Sequence, residues 1–268
     1  MATNTDNAIN ATGVRDERSR PSTAIIILAA GASTRMGRPK QLLTYDGHTF
    51  LRKAAEAAAA SVCRPLLVVL GAYADQLHSE IYDLPTHQVV NTRWAEGMGS
   101  SIRAGMEALD LCDRKSVTDA VVLMLCDQPF VTAAVINNLV TAFRANSKGI
   151  VASEYSGTVG VPALFGSEYF AALASLNSAA GAKQIITAHA SDVMRVPFPQ
   201  GTTDVDTPED YLRLQRRVLS QAPYANYPRP ADPTIIERRY RLEHAPMVLE
   251  KIPSLKKFLA SPGKRHDK

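Results

Sequence analysis

Small, basic and acidic residues fall in this chain at spacings suited to handling a phosphate chain. Ala29-Ala30-Gly31-Ala32-Ser33 lets a ligand approach the backbone and offers main-chain N–H groups to an anion, and Arg35, Arg38 and Lys40 follow at once. An ordinary strand-to-loop exit with solvated basic residues is the bland alternative. Three cations behind one small-residue loop favour phosphate. A carboxylate, Asp127, ends a long apolar run and precedes Gln128-Pro129. Mg²⁺ commonly takes one or two carboxylates together with substrate phosphates, although Asp127 also suits a turn cap before Pro129. Asp204 and Asp206 can serve a metal, or serve as acidic residues at the start of the helix that Pro208 opens. Gly97-Met98-Gly99-Ser100-Ser101 is a glycine-flanked turn before a helix. Its N–H groups and the two hydroxyls can bind base, ribose or phosphate, or one serine can simply cap the helix. Arg103, one turn further on, reads as a solvated charge.

Regular elements must bring these segments together. Ile25-Ile26-Ile27-Leu28 is an apolar β-branched run, expected to be a strand buried on both faces. Helix over 49–61, strand over 65–70, helix over 73–82 and strand over 87–91 follow. A loop over 92–99 leads into a helix from Ser100 or Ser101 to about Leu109. The strongest strand is 119–126, and Thr132 caps a helix through Phe143. This alternation predicts a parallel sheet with helices on both faces, with ligands at the carboxyl ends of the strands. Ala30-Gly31, the Arg93–Gly99 loop and Asp127 all lie at such ends. Beyond them, strands are expected over 148–153, 158–165 and 193–196, and helices over 168–176, 182–190 and 208–219.

Composition narrows the class. The chain has 268 residues, 46% hydrophobic and 21% charged, which suits one large domain or two small ones. No apolar run approaches the ~20 residues that cross a bilayer, and the first 22 residues lack the apolar segment of a signal peptide. A cytoplasmic protein without membrane partners is expected. Three widely spaced cysteines, Cys63, Cys112 and Cys126, suggest free thiols in a reducing compartment. The net charge of +4 is uneven: residues 1–220 hold 20 Lys+Arg against 21 Asp+Glu, and residues 221–268 hold 10 against 5. With few aromatics in that tail, nucleic acid is not an expected partner. The expected divisions are a disordered tail over 1–22, a catalytic domain over 23–220 and a basic, proline-containing extension over 221–268.

Four motifs carry a family resemblance. LAAGASTRMGRPKQLL from Leu28, EGMGSSIRAG from Glu96, LCDQPFV from Leu125 and DVDTPEDY from Asp204 resemble elements of the molybdenum cofactor cytidylyltransferase family. These are nucleotidyltransferases that attach CMP to molybdopterin. The likeness covers roughly residues 24–220 and extends more distantly to the sugar-phosphate and methylerythritol-phosphate enzymes. It implies a three-layer α/β/α, Rossmann-like fold with a mostly parallel sheet. It implies nucleotide binding by Leu28, Ala29, Ala30, Gly31, Ala32, Ser33, Arg35, Lys40, Gly97, Met98, Ser100 and Ser101. Arg35, Lys40 and Asp127 become catalytic, and Mg²⁺ falls to Asp127 with Asp206, Asp204 competing.

The resemblance also implies a reaction. CTP lies on the Ala29–Ser33 loop, a terminal phosphate oxygen of molybdopterin attacks the α-phosphorus, and pyrophosphate leaves. Ala30 resembles the cytidylyl branch, whereas the guanylyl branch usually has glycine there. One departure stands out: Ser178-Ala179-Ala180-Gly181-Ala182-Lys183 carries Ala179 where the family usually has an acidic residue. That change bears on the acceptor. Two alternatives follow: a sugar- or polyol-phosphate nucleotidyltransferase, or a non-catalytic cofactor carrier serving an apo-molybdoenzyme.

Overall fold

The computed structural model describes residues 22–112 and 118–221, with side chains through residue 216. The expected N-terminal tail, the C-terminal extension and its short helices at 234–242 and 247–259 lie outside the described residues. The described chain divides into two compact units, one carrying residues 22–43 and 49–207 and the other 44–48 and 208–221.

The larger unit is built on a seven-stranded sheet. Its strands are β1 (Ser22–Ala29), β4 (Leu66–Leu70), β5 (His87–Val90), β6 (Thr118–Leu125), β7 (Ile150–Tyr155), β8 (Thr158–Gly166) and β9 (Val193–Pro197). Two-residue strands β2 (Thr44–Tyr45) and β3 (His48–Thr49) pair separately. The sheet order is β5-β4-β1-β6-β8-β7-β9. All pairs are parallel except those of β8, which runs antiparallel to β6 and β7. The sheet is therefore mostly parallel. The one reversal arises because β7 and β8 form a hairpin at Ser156-Gly157, both at positive φ, and a hairpin can only join antiparallel strands.

Strand β1 explains the three layers. Its side chains alternate: Ile25, Ile27 and Ala29 pack against α1 (Phe50–Ala59), α2 (Ala74–Ile81) and α4 (Ala133–Ala145). Ala24, Ile26 and Leu28 pack against α3 (Met98–Cys112), α5 (Phe170–Ala174) and α6 (Ala182–Ala188). Burying an isoleucine so completely stabilises the fold by roughly 1.5–3 kcal/mol. Both faces must then be apolar, which is why β1 reads as a continuous run and not as an alternating pattern. Thr49 and Thr132 cap α1 and α4, accepting from Arg52 N at 3.2 Å and Val135 N at 3.4 Å.

Two expectations need correction. Helix α3 starts at Met98, earlier than Ser100, because the short turn Trp94–Glu96 closes on Gly97 at φ 118° and turns the chain directly into the helix. The helix expected over 168–176 is a 3₁₀ turn, Ser167–Tyr169, and then the five residues of α5. In the smaller unit α7 (Pro208–Gln221) places Tyr211, whose hydroxyl donates to the carbonyl of Thr44 at 2.8 Å. No helix among the described residues is long and apolar enough to cross a membrane.

Burial separates the cysteines. Cys63 is inaccessible, and burial pushes its thiol up to about 11. Burial, with the Asp127 charge added, pushes Cys126 up to about 12. Cys112 is exposed. Since the thiolate is the reactive form, the folded protein should titrate one fast thiol with Ellman's reagent and three after denaturation. Fast modification of Cys126 in the native protein would contradict this.

Candidate active site

The loop after β1 is held by its carbonyls. Gln41, 1% exposed, donates through Nε2 to the carbonyls of Ala29 at 2.9 Å and Gly31 at 2.8 Å. Ala72 N donates to Ala30 O at 3.1 Å, and the Tyr73 hydroxyl to Ala32 O at 3.0 Å. Four successive carbonyls are thus taken by the protein. In a trans peptide the following N–H points opposite its carbonyl, so the N–H groups of residues 30–33 are turned away from those partners. Ser33 holds φ 53°, accepts from Lys40 N at 3.1 Å and donates to Gln41 Oε1 at 3.2 Å. Leu28, Ala29 and Ala30 are core residues, so only their main chain can meet a ligand. Their expected binding role narrows to that. Arg35 and Arg38 are exposed.

Gly71 sets how closely β4 passes this loop. A Cβ there would lie 2.6 Å from Ala30 O and 2.7 Å from Ala30 Cβ and Trp94 Cβ. Gly71→Ala should cost about 1–3 kcal/mol through overpacking and raise KM for nucleotide, since Ala30 must shift. Unchanged melting temperature and KM would refute the tight fit.

Across the loop, three remote segments meet at one ammonium. Lys40 Nζ bonds Asp127 Oδ2 in a very short contact and Asp206 Oδ1 at 2.8 Å. Arg35 donates to Asp206 Oδ2 at 2.9 Å. Burial alone would lower the Lys40 pKa, but Asp127 and Asp206 outweigh it and raise it above the ordinary lysine value. Burial pulls Asp206 up, and Lys40 and Arg35 overcome that and hold it below the usual range. Burial, reinforced by the charges of Asp127 and Asp206, pushes Asp204 up to about 6. Asp204 Oδ1 accepts from Gln128 Nε2 at 3.2 Å.

A divalent ion fits this set. The buried Oδ1 of Asp127 has no hydrogen-bond partner, and the charges of Asp127 and Asp206 add to burial in raising Asp204. Among the described residues no group of three or more His, Cys, Asp or Glu is arranged to hold a metal alone.

Comparison with known proteins gives the family. Residues 25–193 match the family described as MobA-like NTP transferase domain. The chain belongs to the MobA-like NTP transferase family. It is 35% identical over 125 residues to the nicotine blue oxidoreductase of Paenarthrobacter nicotinovorans, covering 46% of this chain and 58% of that protein. The chain thus spans little more than half of that relative's length. It is 22% identical over 193 residues to the molybdenum cofactor cytidylyltransferase of Escherichia coli, covering 72% of this chain and 95% of that one. The crystal structure of Rv0371c from Mycobacterium tuberculosis superposes with TM-score 0.62 at 28% identity, covering 73% of this chain and 98% of that one. A structure of the same protein is a complex with manganese, with TM-score 0.55 at 27% identity.

The second wall of this MobA-like site departs from its sequence reading. The Ser100 and Ser101 hydroxyls are buried and used internally. Ser100 Oγ lies 2.8 Å from both Arg93 O and Gly97 O, between which its one hydrogen is shared, and Asn91 Nδ2 donates to both serines at 2.9 and 3.1 Å. These hydroxyls therefore shape the turn, the N–H groups of Gly97, Gly99 and Ser100 are taken by Trp94 O, Ser178 O and Gly97 O, and Met98 is the exposed member of the set. Gly97 and Gly99 are bare because the Asn177–Ala180 turn lies on them: a Cβ at either would strike Ser178 O or Asn177 O, and Gly99 N donates to Ser178 O at 2.9 Å. Arg103 is no solvated charge. It bonds Leu176 O, Ser178 Oγ and Glu96, fastening that turn to the α3 entrance. Helix α6 starts at Ala182, with Gly181 at the N-cap position and no side-chain cap.

Two residues carry more than their sequence suggested. Gln41 braces the loop, and Gln128, 4% exposed, ties Asp204 and Val161 O to the end of β6. Each stands inside a quoted motif, but nothing in the spacing marks a buried glutamine. Leu164 and Phe165 are fully buried core residues, as their apolar character suggested.

Proposed function

We propose that this chain transfers CMP from CTP to the terminal phosphate of molybdopterin and releases pyrophosphate, with Mg²⁺ as cofactor, in the cytosol. The observation that carries this reading is the meeting of Lys40, Arg35, Asp127 and Asp206 beside a loop whose carbonyls are tied back. Main-chain N–H groups of residues 30–33 hold the phosphates, and Lys40 and Arg35 balance their charge. Asp127, with Asp206 or Asp204, would hold the ion, which supplies charge compensation at the phosphate oxygens. A phosphate monoester is already nucleophilic at neutral pH, so no side chain need act as general base. Catalysis then consists of positioning and charge stabilisation. The E. coli relative of that name and the manganese complex of the mycobacterial neighbour support the acceptor and the divalent ion.

Incubation of the full chain with Mg²⁺, molybdopterin and each of the four triphosphates, followed by pyrophosphate assay, tests this. Release with CTP and little with GTP is expected. A melting shift with GTP and none with CTP would overturn the base assignment. Release with a sugar or polyol phosphate in place of molybdopterin would move the acceptor, the side of the reaction on which Ala179 bears. No release with any pair would leave the cofactor-carrier reading.

A further inference from the structure

We propose that Gln128 is part of the divalent-ion site, supplying a neutral oxygen to the ion through Oε1 while its amide nitrogen positions Asp204. The inference deepens the metal reading above and rests on it. Its ground is a pair of buried atoms. Gln128 Nε2 donates to Val161 O at 3.1 Å and to Asp204 Oδ1 at 3.2 Å. Both partners only accept, so the amide cannot be flipped without setting oxygen against oxygen. This fixes Oε1 as the other atom, and Oε1 is buried without a partner. The preceding residue repeats the pattern: Asp127 Oδ1 is buried and unpartnered as well. Buried acceptors are normally satisfied. Two orphans on consecutive residues, at the end of the strand that leads into the acidic cluster, call for one species that satisfies oxygens only.

A hard divalent cation is that species. It accepts carboxylate and amide carbonyl oxygens together, and, unlike a water, which could donate to both, it also supplies positive charge to the carboxylate. The hydrogen bond from Nε2 also holds Asp204 toward Asp127, as residues behind a metal ligand commonly do. The topology accounts for the arrangement. β8 runs antiparallel to β6, with Leu123 opposite Ala163, so Val161 is carried past the carboxyl end of β6 to where Gln128 emerges.

The test is Mn²⁺ binding to the full chain without nucleotide, read from the free Mn²⁺ signal in electron paramagnetic resonance. The wild type should bind one ion. Gln128→Met, of similar volume but lacking both oxygen and amide, should weaken binding about tenfold or more at an unchanged melting temperature. Gln128→Glu keeps an oxygen for the ion but loses the amide donor to Val161 O and Asp204, so it should bind more weakly than the wild type and more tightly than Gln128→Met. Wild-type affinity in a folded Gln128→Met overturns the proposal, as does absence of Mn²⁺ binding by the wild type. If Gln128→Met does not fold, Gln128→Glu decides: a loss of more than about tenfold overturns, a smaller loss supports. Normal Mn²⁺ binding without pyrophosphate release from any triphosphate would sink the proposed reaction alone and leave the ion site standing.

Discussion

Asp127→Asn should lower turnover by about 10²–10³-fold and remove the rise in melting temperature that Mg²⁺ or Mn²⁺ gives the wild type. The substitution keeps the shape and deletes the charge. Asp127 leaves β6 where the sheet stops, with one oxygen on Lys40 and the other buried without a partner. An amide there still fills the space. It can neither neutralise Lys40 nor offer two anionic oxygens to a cation. The loop proposed to hold the phosphates is braced by Gln41 and Tyr73, not by Asp127, so nucleotide KM should move far less than kcat. Steady-state pyrophosphate release and a thermal melt with and without divalent ion check both halves. Turnover within a few-fold of wild type would refute the assignment.

Lys40→Met should destabilise the fold by about 3–5 kcal/mol, and millimolar Mg²⁺ should restore part of the loss. In the wild type the ammonium lies between Asp127 and Asp206. Its removal leaves the charges of Asp127, Asp204 and Asp206 less compensated, with the Arg35–Asp206 pair retained. The pH dependence has a definite sign. Folding raises the Lys40 pKa, so its contribution is complete below the ordinary lysine pKa and is lost only as the solution becomes strongly alkaline. Asp204, already raised by burial and its acidic neighbours, is raised further in Lys40→Met by loss of the Lys40 charge. The variant should then gain stability as pH falls from neutral to about 5.5, more steeply than the wild type. Chemical denaturation at the two pH values, with and without Mg²⁺, measures this. A loss below 1 kcal/mol, or no response to Mg²⁺, would show that the ammonium does not hold the cluster together.

The order of strands and helices was legible because the cause is local. Isoleucine or leucine at four successive positions of β1, Ile25 to Leu28, and alanine-rich or threonine-capped helices between strands, follow from periodicity and capping alone. The acidic and basic residues were legible as candidates for the same reason: they stand where strands end. Ser100 and Arg103 were not. A serine at a helix start and an arginine one turn later look solvent-facing in any sequence. Their burial comes from Asn91 and from the Asn177–Ala180 turn, elements remote along the chain.

The sequence by itself determined the α/β alternation, the small-residue loop with its cations, and the family, since each depends on neighbours within a few residues of chain. Only the tertiary structure decided which charges meet. Lys40 is 87 residues from Asp127 and 166 from Asp206, and no spacing rule reaches that far. Parallel strands set those residues down at one edge, and the reversal of β8 brings Val161 to Gln128. Hydrogen-bond partners and orphaned oxygens depend on such convergence, because electrostatic pairing acts through space and not along the chain.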